Sequence, residues 1–155
     1  MQAGGTTIAR PIDEIAEILE TRPPDWMVPF LRIAAYAGER AASGMDSVAP
    51  ASASRRVLVE LVSSASGDDP AERIVLIRWR TYGYRHVPPS YAGRLVIRSD
   101  AEGSCEVSLD GSYALPDAAR GEADAAATAR ASSVMVSTFL HALREAAEEQ
   151  ARSGV

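Results

Sequence analysis

Between residues 57 and 113 the chain alternates apolar and polar side chains, and the alternation breaks at clusters of turn-forming residues. A period of two predicts strands with one buried face, and the breaks predict hairpin turns. Val57, Val59 and Leu61 fall on one side of the first strand, and Leu58, Glu60 and Val62 on the other. The stretch SASGDDPAE from Ser64 is turn chemistry. From Ile74 to Tyr84, Val75, Ile77, Trp79, Thr81 and Gly83 face one way, while Ile74, Leu76, Arg78, Arg80 and Tyr82 face the other. A proline-containing loop, Arg85 to Tyr91, leads to a strand from Gly93 to Ser99, a turn at Asp100 to Ser104, and a strand from Cys105 to about Leu115.

The charges on these strands predict their register. Placing Arg98 opposite Glu106 sets Arg94 opposite Asp110 and Val96 opposite Ser108, and gathers Leu95, Ile97, Val107 and Leu109 on the other face. Facing opposite charges contribute about 0.2–1 kcal/mol each, and a slip of one residue would bury the arginines. The same logic sets Glu60 opposite Arg78 and gathers Val59, Leu61, Ile77 and Trp79. The result is an antiparallel meander with one apolar and one charged face.

Elsewhere the period is helical. Ile12, Ile15, Ala16 and Leu19 recur at i, i+3, i+4 and i+7, opposite Asp13, Glu14, Glu17 and Glu20, and Arg22-Pro23-Pro24 ends the run. Pro11 suits a helix start, and the early acids favour the positive end of the dipole. A second helix is expected from Pro29 to about Ala42 on Phe30, Ile33, Ala34 and Ala37, with Leu31 beside them. Residues 43–54 read as a loop, and TTIAR at 6–10 as a short first strand. Beyond Pro116 a linker leads to one long helix, roughly Ala123 to Gln150, with its apolar stripe through Val134 or Met135, Thr138 or Phe139, Ala142 or Leu143, and Ala146. Residues 151–155 are expected to form a disordered tail of a chain that is otherwise one domain, 1–155.

A sheet with one apolar face must bury it against another layer, and the terminal helix is the element long enough to do so. The expected fold class is therefore α+β: a curved antiparallel sheet wrapped around a long C-terminal helix, with two short helices after the first strand. Pro11-Ile12-Asp13-Glu14-Ile15, the downstream Trp26, the meander and the closing helix resemble the SRPBCC (START-related, helix-grip) superfamily over about residues 6–150. That group includes polyketide cyclase-like proteins, relatives of the birch-pollen allergen and lipid-transfer domains. The resemblance implies a seven-stranded curved sheet, with residues 6–10 as one strand and Ser64 to Arg73 or the loop near Tyr91 supplying what the pattern does not.

Composition narrows the function classes. The net charge of -5 argues against nucleic acid as the main partner. No apolar run reaches the roughly 18–20 residues of a membrane-spanning helix, and MQAGGTTIAR lacks the features of a secretion signal, so a cytoplasmic location is expected. One cysteine, Cys105, excludes an internal disulfide, and its inward strand position reads as a packing thiol. All 16 basic residues are arginines, which removes lysine-based covalent or general-base chemistry. No phosphate-binding glycine loop or nucleophile elbow occurs, and the two histidines have no partner at metal-ligand spacing, so neither cofactor nor metal is expected.

The expected function is binding or transport of an apolar small molecule, lipid or polyketide-like, in a cavity between sheet and helix. Its walls would be Ile77, Trp79, Ile97, Val107, Leu109, Tyr113, Met135 and Phe139. No catalytic residue is assigned; His86, Tyr91 and Tyr113, near the cavity mouth or wall, are the candidates for acid–base work in the alternative reading, a polyketide cyclase or aromatase. His141 flanks the apolar stripe of the terminal helix and suits a surface or interface role. A third reading, a non-catalytic protein-interaction module, rests on the Ala-rich segment and the long helix, which also suit homodimerisation. A filled interior favours that third reading. An apolar pocket without buried acid or base favours the first, and a buried His86, Tyr91 or Tyr113 touching a pocket favours the second.

Overall fold

A computed structural model of the chain describes residues 2–21, 27–43, 55–65, 71–100, 103–116 and 121–153. The elements run β1 (Gln2–Ile8), α1 (Ile12–Thr21), α2 (Val28–Ser43), β2 (Arg56–Ala65), β3 (Glu72–Tyr82), β4 (Ser90–Ser99), β5 (Cys105–Tyr113) and α3 (Glu122–Ser153). The strands form one antiparallel sheet in the order β1-β5-β4-β3-β2. The architecture is a helix-grip α+β fold, with two helices inserted after the first strand and a long helix closing the chain. Trp26 and the expected loop at 44–54 lie outside the described residues, as do 117–120 of the linker and the final residues 154 and 155.

The β4–β5 register follows the charge pattern: Arg94 stands opposite Asp110, Val96 opposite Ser108 and Arg98 opposite Glu106. Leu95, Ile97, Val107 and Leu109 are all fully buried on the inner face. The β2–β3 hairpin departs from it. A bulge between Val59 and Leu61 puts Leu61, not Glu60, opposite Arg78. The extra residue does not cost Glu60 its partners, because its carboxylate sits 3.0 Å from Arg78 Nε and 2.5 Å from Arg80 Nε. β2 is an edge strand, where bulges of this kind are common. The side chain of Leu61 lies outside the described residues.

Two further expectations are corrected. The first strand occupies residues 2–8, not 6–10: Gly4 and Gly5 carry no alternation, and pairing with β5 is what extends the strand through them. The sheet has five strands among the described residues, not seven. Residues 64–65 and 72–73 lengthen β2 and β3, and Tyr91 belongs to β4, so the segments expected to supply more strands extend existing ones.

The helix α1 buries Ile15, Ala16 and Leu19 as its period requires. The phase of α2 differs from expectation: Met27, Leu31, Ala34 and Ala35 are buried, whereas Ile33 is 59% exposed. Between Ala34 and Gly38 its buried side is made of small residues because α2 lies hard against α3; a Cβ on Gly38 would fall 2.5 Å from the carbonyl oxygen of Ala131. α3 buries Ala127, Ala131, Met135, Val136, Phe139, Leu140, Leu143 and Ala147, and it continues to Ser153. Its backbone runs closest to α2 and β1 and stands further from β3 and β4. Large side chains fill the wedge this leaves.

Candidate functional site

The wedge between α3 and the inner face of β3, β4 and β5 is where the expected cavity walls converge. Ile77, Trp79, Ile97, Val107, Leu109, Met135 and Phe139 are buried in one cluster, and Tyr113 is half-buried against it. Their convergence follows from strand parity: each is an odd-numbered strand position or belongs to the inward stripe of α3. Trp79 stands directly opposite Tyr91 in the β3–β4 ladder, and the two rings stack with centroids 4.3 Å apart and planes 13° apart. Phe139 of α3 meets Trp79 from the other layer at 5.9 Å. Tyr91 is 2% exposed, and burial, helped by the charge of Asp110, pushes its hydroxyl well above the usual tyrosine range. The phenol is therefore neutral at physiological pH.

The hollow itself is small. The side chains of Trp79, Pro88, Tyr91, Ser132, Met135 and Val136 close around a narrow gap with no room for even a water molecule. Pro88, Ser132 and Val136 were not among the expected wall residues. Pro88 comes from the loop between β3 and β4, whose place is set by Thr81: its hydroxyl donates to the carbonyl of Pro88 at 2.7 Å, and its backbone N–H to that of Pro89 at 3.0 Å.

The same loop is held from the other side by Glu39, which is 5% exposed. The backbone N–H groups of Arg85, His86 and Val87 all donate to its carboxylate, at 2.8–3.2 Å, and His86 Nδ1 lies 3.1 Å from Oε1. Three consecutive amides outside the sheet ladder need acceptors when buried, and one carboxylate on α2 supplies them. With so many donors directed at it, Glu39 fixes the loop. His86, expected at the cavity mouth, is thus drawn toward α2 and lines no part of the gap. Tyr84 lies in this cluster too: its ring receives Arg55 at 5.4 Å, and burial raises its hydroxyl above the ordinary value.

Glu39 is the residue that the sequence pattern passed over. A stripe phased on Leu31, Ala34 and Ala35 carries Gly38 and Glu39 on the buried side, so an acid in register with small buried residues was the available signal. Weighting the stripe toward Phe30 and Ile33 hid it.

Other candidates stand apart from the wedge. His141 is exposed on α3 and pairs with Glu145 one turn on, at 3.1 Å. Cys105 is buried, and burial raises its thiol above 9.0, with Asp100 and Asp13 adding to the effect, so its thiolate is disfavoured. Among the described residues no three His, Cys, Asp or Glu side chains gather in a metal-binding group, and no helix is long and apolar enough to cross a membrane. Four arginines of the outer sheet face are matched by acids: Arg78 and Arg80 by Glu60, Arg94 by Asp110 at 3.9 Å, and Arg98 by Glu72 at 2.8 Å.

No protein-family model matches the chain, and no curated protein matches it. Among solved structures, the crystal structure of Ara h 8.0201 aligns over 92% of this chain and 96% of its own, with 8% identity and a TM-score of 0.36.

Proposed function

We propose that the chain binds an apolar small molecule between the inner face of the sheet and α3, as a carrier rather than a catalyst. The observation that supports this reading is the composition of the wedge around the gap. Trp79, Met135, Val136 and Pro88 surround it, and its polar contributors are one serine hydroxyl and one neutral phenol. Such a lining favours an apolar guest and offers it few directed contacts. The gap admits not even a water molecule as it stands, so binding requires part of the wall to move.

The cyclase alternative needs an acid or base facing the guest. Tyr91 touches the gap, but its raised hydroxyl stays neutral, a hydrogen-bond donor and a weak acid, and the buried carboxylate of Glu39 is occupied in holding the loop. The interaction-module reading draws support from the tight interior and from Ile33 and Tyr36, which are 59% and 40% exposed and lie one turn apart on α2.

Native mass spectrometry of the purified protein, followed by titration with 1-anilinonaphthalene-8-sulfonate, separates the readings. A retained passenger, or saturable one-to-one dye binding weakened in Trp79→Leu, is the expected result. An empty chain with no saturable dye binding overturns the carrier reading.

A further inference from the structure

Two glycines face each other on the inner side of the sheet, Gly93 in β4 and Gly111 in β5. By parity they sit between the inward positions Tyr91 and Leu95 on one strand and Leu109 and Tyr113 on the other. Glycine in the middle of a strand costs about 0.5–1 kcal/mol, so a directly opposed pair calls for a reason. The ring of Tyr91 provides it at Gly93, and the ring together with the β4 backbone provides it at Gly111. A Cβ on Gly93 would fall 2.4 Å from Tyr91 Cε1, and one on Gly111 would fall 2.4 Å from the Ala92 carbonyl oxygen and 2.9 Å from Tyr91 Cζ. The ring therefore occupies the pit that two missing side chains leave in the inner wall, while stacking nearly parallel to Trp79.

We propose that Tyr91 is the plug of the interior site and its shape-selecting residue: its ring fills a slot one ring thick beside Trp79, and a planar ring compound takes that slot when the side chain swings out. The inference rests on the carrier reading and deepens it by naming the class of guest. The slot and the gap share Trp79 and Tyr91 as walls, so withdrawal of the ring merges them into one chamber. Tyr91 is the second residue of β4, directly after the Pro88-Pro89 loop, so the ring can swing out at the end of the strand without breaking the ladder on either side. A planar guest recovers the stack on Trp79 that the departing phenol gives up, whereas a straight acyl chain does not. That difference makes the plug selective and not merely obstructive.

The plugged state lowers apparent affinity by the fraction of time the slot is closed, and removing the plug lifts that penalty. Isothermal titration of the full chain with 2-naphthol and with dodecanoate tests this in the wild type, Tyr91→Ala and Tyr91→Phe. Tyr91→Ala is expected to bind 2-naphthol about tenfold tighter than the wild type and to gain distinctly less for dodecanoate, while Tyr91→Phe, which keeps the ring, gains for neither. Should Tyr91→Ala fail to fold, ring-labelled tyrosine NMR of the wild type reads the same event. The Tyr91 ring signals, identified by their loss in Tyr91→Phe, lose the ring-current shift from Trp79 as 2-naphthol saturates the protein. Equal gains for both probes in Tyr91→Ala, or Tyr91 signals unmoved at 2-naphthol saturation, overturn the plug and leave the carrier reading standing. Failure of both probes to bind either wild type or Tyr91→Ala overturns both.

Discussion

The two faces of the β4–β5 hairpin share one backbone and divide its work. On the inner face Leu95, Ile97, Val107 and Leu109 are fully buried. On the outer face the same strands carry Arg94 against Asp110, Arg98 against Glu106 and Val96 against Ser108. The inner residues hold the sheet to the helices, since a fully buried aliphatic side chain is worth about 1.5–3 kcal/mol. The outer charges are solvated and contribute tenths, yet they discriminate between registers, because a slip of one residue would drive arginines into the apolar layer. Stability and specificity of pairing thus sit on opposite sides of the same strands.

The sharpest way to break this division is Leu109→Ala. It leaves a hole in a layer that is fully closed and is expected to cost about 2–5 kcal/mol, read as a shift in the urea midpoint with little change in slope. A loss below about 1 kcal/mol would mean that the inner layer collapses around the hole and is less tightly packed than its burial indicates.

A second test works through pH and again addresses the inner face. Burial raises the Tyr91 hydroxyl above its ordinary 10.0, so above about pH 10 the unfolded chain loses a proton that the native chain retains. Native stability is therefore complete below that pH and falls as pH rises, by about 1.4 kcal/mol per pH unit for this one group. Tyr91→Phe is expected to make the alkaline branch of a stability–pH curve shallower by that amount. The slope that remains belongs in part to Tyr84 and Cys105, which are raised in the same direction. An unchanged slope in Tyr91→Phe would mean that this ring titrates as an exposed one.

The smallest effect is expected outside. Arg94→Ala removes a pair whose atoms are 3.9 Å apart and whose side chains are largely exposed, and it should cost less than about 1 kcal/mol. If it instead shifts the urea midpoint as far as Leu109→Ala does, the division between the faces is wrong.

The meander was legible because a period of two and a ladder of opposite charges are both local patterns. Arg94, Arg98, Glu106 and Asp110 told the register of β4 against β5 without reference to any other element. The same reasoning at Glu60 found the right charge partners and the wrong backbone pairing, because a bulge shifts the ladder while a long side chain still reaches across it. In α2 the pattern misled. Ile33 looked like core and is exposed, while Gly38 and Glu39 looked unremarkable and lie at the α2–α3 contact and the loop anchor. Close helix packing selects for absence of bulk, and absence of bulk leaves little hydrophobic signal.

Composition and periodicity alone determined the element types, the inward and outward sides of β3, β4 and β5, and the convergence of Trp79, Ile97, Leu109 and Phe139 on one core, since each depends on spacing within a short stretch of chain. In β2 the bulge reverses the sides beyond Glu60, so that Val62 and not Leu61 pairs with Ile77. Only the tertiary structure decided how much space those side chains leave. The width of the gap depends on how far α3 stands from β3 and β4, which Gly38 and Ala131 set at a distant contact, and on Tyr91 lying over two glycines that meet only once the sheet has formed. A hollow is a difference between large volumes contributed by residues far apart in the chain, and no local pattern encodes such a difference.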